Sequence, residues 1–203
     1  MELKKFNIAI EMKTRTLLGE ILGEKTSLKL SNYFGNMPDD STLLIDITEA
    51  NVIDYHFCAT SIGPLFKSVQ NSKYKRKHII IKIDPDQISN LLAGLSWYLY
   101  KERTEADSLT FFKEKNLSIK LLNSQENRIE FIGNIDKLQN QILSIINKKM
   151  EISANDIAKT INKTVEETIE KLNGLIKLSF IFKKEKETEV FYCSFNSLFQ
   201  GGI

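Results

Sequence analysis

Residues 151–195 read EISANDIAKTINKTVEETIEKLNGLIKLSFIFKKEKETEVFYCSF. Ser153 or Asn155 is placed to cap a short helix bearing Ile157, Ala158 and Ile161, because a short side-chain oxygen there accepts from the first free amides. Residues 162–164 supply a turn. A second helix follows from Thr164 and ends near Gly174, offering Val165, Ile169, Leu172 and Leu175 to a core at helical spacing. Its outward face then carries Glu166, Glu167, Thr168 and Glu170. Residues 180–183 and 190–195 read as two strands around the charged stretch KKEKETE. Immediately upstream, residues 135–149 form an amphipathic helix with Ile135, Leu138, Ile142, Ile145 and Ile146 in phase. Three helices therefore run into a strand-turn-strand, and the punctuation at Gly133 and Asn134 separates this block, residues 134–203, from residues 1–133.

The preceding block alternates strands and helices. Residues 6–11 (FNIAIE) alternate like a half-buried strand, and residues 15–33 carry apolar side chains at helical spacing, interrupted near Gly23. After turn signals at 35–40, residues 42–47 (TLLIDI) form a near-continuous apolar run, as in a strand covered on both faces. A helix over 55–70, a second buried strand at 78–83 (HIIIKI) and a helix over 86–103 follow. Residues 102–107 (ERTEAD) read as a loop, and residues 117–122 and 128–132 as a closing hairpin. Such alternation predicts an α/β unit with parallel pairing at its centre. The expected fold class is α/β: a mixed sheet with helices, then a small α+β domain.

Composition narrows the function. The chain has 203 residues, 42% of them hydrophobic and 27% charged, with a net charge of +2, which excludes fibrous and disordered classes. Cys58 and Cys193 both lie in apolar settings and read as buried thiols. Two cysteines and the separated His56 and His78 match no metal-ligand spacing, so no metal and no cofactor is expected. The N-terminal apolar stretch is broken by Asn7 and Glu11, unlike a signal peptide, and no apolar run reaches the length of a membrane helix. A cytoplasmic protein with no membrane association is expected. There is no phosphate-binding glycine loop and no nucleophile elbow, so no enzyme is expected.

Residues 43–66 (LLIDITEANVIDYHFCATSIGPLF) resemble the strand-loop-helix signature of STAS domains, and more closely the bacterial STAS-like family of unknown function. Asp46 ends the strand, residues 48–53 form the loop, and Phe57 and Ala59 open the helix; Thr14-Arg15 is similar to the Ser-Arg that opens the family's first helix. In the anti-sigma-antagonist branch the loop ends in Asp-Ser and the serine is phosphorylated. Here Asp54 is kept and Tyr55 stands in the serine's place, so the resemblance implies that switch is absent. Asp54, Tyr55 and His56 are candidates for binding a protein partner, with helix capping the plainer role for Asp54. Lys73, Lys75, Arg76 and Lys77, interleaved with Tyr74, form a candidate basic patch; a solvated loop is the plainer reading.

Residues 151–195 resemble the winged helix-turn-helix core of prokaryotic transcription regulators. The resemblance implies a DNA-binding module, often dimeric, so double-stranded DNA and a homodimer are expected partners. The candidate DNA contacts are Lys163, Thr164, Thr168 and Lys171 on the second helix and its approach, and Lys183, Lys184 and Lys186 on the wing. That helix is acidic, and the block carries ten lysines against nine acidic residues, a weak footprint for a nucleic-acid binder. The sequence thus supports a non-enzymatic, transcription-regulator-like protein joining a STAS-like domain to a winged helix. The alternative is a protein-interaction adaptor whose winged helix docks protein instead of DNA.

Overall fold

The computed structural model describes residues 1–70, 76–101, 110, 114–115, 117–126, 128–186 and 189–199. The chain divides into two compact units, Met1–Ile132 and Gly133–Ile203. The class is α/β, with a mixed sheet of parallel and antiparallel strands.

In the first unit, β1 (Glu2–Asn7), β3 (Ser41–Asp46), β5 (His78–Ile83), β6 (Ile119–Asn123) and β7 (Arg128–Ile132) form one five-stranded sheet in that order. The first four are parallel and β7 closes antiparallel on β6. A short parallel pair, β2 (Thr16–Leu17) with β4 (Val52–Ile53), stands apart. Each step along the parallel strands goes the same way, so right-handed crossovers put the helices on one face. These are α2 (Glu20–Gly35), α3 (Tyr55–Ser61), α4 (Gly63–Gln70) and α5 (Ile88–Tyr100), with α3 packed between α2 and α5. Leu43, Ile45, Ile79, Ile81 and Leu121 meet Leu30, Phe34, Phe57, Leu91 and Leu95 in the core between the layers.

Four local expectations are corrected. The strand expected at 6–11 ends at Asn7, whose side chain accepts from the Ile10 amide at 3.1 Å and starts the short helix α1 (Ile8–Met12). Helix α2 runs through Gly23 unbroken; a Cβ there would stand 1.9 Å from Thr60 Oγ1, so the glycine serves close packing against α3. The helix expected over 55–70 is two, because Pro64 has no amide to continue the ladder. The helix expected from 86 begins as a 3₁₀ turn at Pro85–Gln87, and α5 stops at Tyr100 on a left-handed Lys101. The loop expected at 102–107 lies outside the described residues.

The second unit runs α6 (Lys137–Lys149), β8 (Glu151–Ser153), α7 (Ala154–Ile161), α8 (Val165–Lys177), β9 (Ile181–Lys186) and β10 (Glu189–Ser194), ending in a 3₁₀ turn at Phe195–Phe199. The antiparallel sheet has the order β8-β10-β9; the three-residue β8 was not expected from sequence. Ser153 caps α7, and capping boxes at Asp136–Gln139 and Thr164–Glu167 start α6 and α8. The buried stripe of α8 is Thr168, Leu172 and Leu175, one step round from the expected Val165 and Ile169; Ile169 is 37% exposed.

Gly94 of α5 is where α3 comes nearest. A Cβ at this position would lie 2.5 Å from the Tyr55 carbonyl oxygen and 2.7 Å from Cys58 Cβ. Gly94→Ala is expected to lower the stability to urea by about 1–3 kcal/mol, the usual cost of overpacking; a neutral result would mean α3 and α5 are packed less tightly than this.

Candidate functional site

Two surfaces hold the candidate residues, one in each unit. In the first, Asp54 is the N-cap of α3. Its Oδ1 accepts from the Phe57 amide at 2.7 Å, and the Gly19 amide donates to the same carboxylate at 3.0 and 3.2 Å. One side chain therefore starts α3 and ties it to the residue that precedes α2. The rings of Tyr55 and His56 lie 3.8 Å apart, and Trp97 of α5 meets His56 edge-on at 6.5 Å. Lys101 Nζ sits 4.4 Å from the Trp97 ring centroid and 5.6 Å from that of Tyr98. Such contacts are cation–π interactions. The surface is thus a half-buried aromatic cluster built from α3 and α5. Trp97 and Lys101 were not singled out from sequence, since their approach to Tyr55 and His56 depends on α5 packing against α3, across more than 40 residues of chain.

Of the candidate basic patch, the structure describes Arg76 and Lys77. Lys73 and Lys75 lie outside the described residues. Arg76 pairs with Asp40, Nε to Oδ1 at 2.7 Å. Lys77 is 8% exposed and donates to the carbonyls of Phe34 and Gly35, both at 3.1 Å. It closes the C-terminal end of α2, where a cation is favoured by the free carbonyls. Lys77 is thus corrected from surface contact to helix cap.

At the C-terminal ends of β1, β3 and β5 lies a charge cluster missed in the sequence reading. Asp46 is 2% exposed, with its Oδ2 3.0 Å from Lys5 Nζ and 3.7 Å from Lys82 Nζ. Its Oδ1 accepts from the Thr48 amide at 3.0 Å and the Thr48 hydroxyl at 2.7 Å. Burial alone would raise its pKa; the Thr48 hydroxyl, Lys5, the Thr48 amide and Lys82 together overcome burial and lower it. On the same sheet face, burial and the charge of Lys120 push His78 down to about 3, and burial pushes Lys120 down to about 7.

In the second unit each candidate lysine has a partner inside the fold. Lys163 pairs with Glu167 at 3.8 Å and Lys171 with Asp136 at 2.9 Å. Lys184 lies 3.5 Å from Glu151, and Lys186 pairs with the same carboxylate. Lys183 instead stacks over Tyr192, 5.8 Å from the ring centroid. Strand alternation explains the split, since Lys184 and Lys186 share one face of β9 and Lys183 points to the other. Thr164 is spent on its capping box. Thr168, expected on the outward face, is fully buried with its hydroxyl donating 2.8 Å to the Thr164 carbonyl; it is corrected from surface contact to core residue. Residues 187–188 of the expected wing lie outside the described residues.

Among the described residues, no group of three or more His, Cys, Asp or Glu is placed to hold a metal ion, and no helix is long and apolar enough to cross a membrane. Neither a scan of protein-family models nor a search of curated proteins returns a match for this chain.

Asp46→Asn keeps the side chain's shape and removes its charge. It is expected to cost about 1–3 kcal/mol at neutral pH, as for a charged hydrogen-bonded group. Because the native carboxyl titrates below its ordinary 3.8, the contribution of the charge is complete above about pH 5 and is lost as the pH falls through the lowered native value. In urea denaturation of parent and variant between about pH 7 and pH 3, the gap should therefore narrow toward acid. A constant gap would mean the charge contributes nothing.

Proposed function

We propose that this chain is a non-enzymatic interaction protein, a STAS-like unit joined to a winged helix-turn-helix unit that docks onto protein instead of DNA. The observation that carries this reading is the electrostatics of α8 and the wing. A helix entering the major groove brings its outward side chains within a few ångströms of phosphates, and binding is driven by lysines and arginines that release counterions. Here the outward face of α8 carries Glu166, Glu167 and Glu170, with Ile169 beside them. Lys163 and Lys171 each lie within 4 Å of a carboxylate of their own, and Lys184 and Lys186 share that of Glu151, so an approaching phosphate meets charge that is already largely offset. The wing lysines also divide between two faces and form no single rim.

The first unit supports the same reading. The Tyr55, His56 and Trp97 cluster, rimmed by Lys101, has the composition that dominates protein interfaces, where a few aromatic side chains carry most of the binding energy. A helix capped by Asp54 beneath it gives the cluster a rigid base.

Transcription regulation through DNA is the second reading, favoured by the order of elements in the second unit, three helices with a capped α8 followed by a β-hairpin, which is the docking geometry of DNA-binding winged helices. Fluorescence anisotropy of the full-length protein with random duplex across a salt series separates the two. The expected result is no binding at about 150 mM salt and a shallow salt slope below it. Tight binding that weakens steeply with salt, and that is lost when Lys183, Lys184 and Lys186 are neutralised together, would establish the DNA reading instead.

A further inference from the structure

Helices α3 and α4 lie within residues 55–70, and α5 with its cap residue fills 88–101. Neither stretch holds an Asp or Glu, although the chain has 26 of them. What this layer exposes is aromatic and cationic. Tyr98 of α5 is seated against Gly63 of α4, where a Cβ would stand 2.6 Å from the ring's Cγ. Lys67, one turn along α4, places its Nζ 5.9 Å from the centroid of that ring, and Lys101 places its own at 5.6 Å. Lys101 also lies over Trp97, whose ring meets His56. Both lysines are exposed, and among the described residues neither has a carboxylate partner. The carboxylate that starts α3, Asp54, is engaged by the Phe57 and Gly19 amides.

The ring quadrupole favours an ammonium beside it but leaves both lysines fully charged, with N–H donors turned to no anion. Two like charges gathered on one ring repel each other, and an anion set between them gains from both. We propose that this face of α3, α4 and α5 binds an acidic peptide segment, its carboxylates on Lys67 and Lys101 and an apolar side chain against Trp97 and His56. A neutral partner would bury the two ammoniums without compensation, and a basic one would be repelled. Single-stranded nucleic acid also carries anions, but its bases stack on open aromatic faces. Here Lys101 stands over both Trp97 and Tyr98, and two cations are few for a phosphate backbone. The inference rests on the reading of the first unit as an interaction module and gives its partner a chemistry.

Trp97 is the chain's one tryptophan, so its emission reports occupancy of this face directly. The probe is a short unlabelled peptide of glutamate and serine around one phenylalanine, titrated into the full-length protein at about 50 mM salt, where exposed charges are weakly screened. It should shift the emission with Kd on the order of 10–100 µM, and the same peptide with glutamine for glutamate should bind at least about tenfold more weakly. Lys67→Glu combined with Lys101→Glu should abolish binding of the glutamate peptide and confer binding of its lysine counterpart. Lys25→Glu with Lys148→Glu, an equal change of charge at exposed positions of α2 and α6, should leave the glutamate peptide's affinity within about threefold. All four positions are exposed, and unchanged far-UV circular dichroism would verify that the fold is kept. No response to the glutamate peptide up to about 1 mM, a glutamine peptide that binds equally, a control variant as weak as the Lys67 and Lys101 variant, or an oligothymidylate that binds more tightly than the peptide would each overturn the proposal. Such a failure with duplex DNA still unbound would leave the protein-interaction reading standing, whereas tight duplex binding beside an intact peptide response would sink that reading and keep this one.

Discussion

Strand β3 is buried along its whole length and hydrogen-bonded on both edges, to β1 and to β5. That position leaves its last residue, Asp46, with a carboxylate taken out of water, and an uncompensated buried charge costs several kcal/mol. The fold answers from three directions: Lys5 from β1, Lys82 from β5 and Thr48 from the turn that follows. Parallel pairing puts all three strand residues on one face, with Lys82 directly opposite Asp46 and Lys5 two residues back along β1. The same turn leads through β4 to Asp54, so where the sheet ends, the start of α3 is set. Asp54 then holds the residue before α2, and α3 holds α5 through the close contact at Gly94. The aromatic cluster of Tyr55, His56 and Trp97 is the outer surface of that arrangement.

The second unit solves a different problem with the same means. A small domain with nearly balanced charge keeps its lysines in solution beside carboxylates it already holds, at Asp136, Glu151 and Glu167. Exposed pairs of this kind add little stability. Their consequence is for recognition, because they flatten the potential over the surface that a duplex would approach. The Lys186 and Lys184 ammoniums hold the Glu151 carboxyl below its ordinary pKa, the first more strongly, so the carboxylate stays charged and offsets one of the two.

Long-range order was legible where the pattern was strong. The run HIIIKI lies on β5 at the residues expected, and TLLIDI lies on β3 displaced by one residue, because continuous apolar runs of that length suit a strand buried on both faces. Asp54 as a cap was legible from its place before a helix. Local patterns failed where a tertiary contact or one side chain outweighed periodicity. Asn7 converted an alternating stretch into a helix start, and Gly23 looked like a break and is a packing contact. Thr168 and Ile169 exchanged places because a threonine whose hydroxyl bonds back to its own helix is buried as readily as an isoleucine. The cluster around Asp46 was invisible beforehand, as it joins residues from three strands whose order no local pattern states.

We propose that the carboxylates of α8 keep this unit off nucleic acid. Glu166 and Glu170 both face outward and neither takes part in the capping box, so Glu166→Lys with Glu170→Lys changes the charge of that face by four without touching the helix start. Measured by anisotropy against random duplex, the double variant should gain salt-dependent binding by at least about tenfold over the parent. Equal affinity of the two proteins, whether both bind or neither does, would contradict the claim.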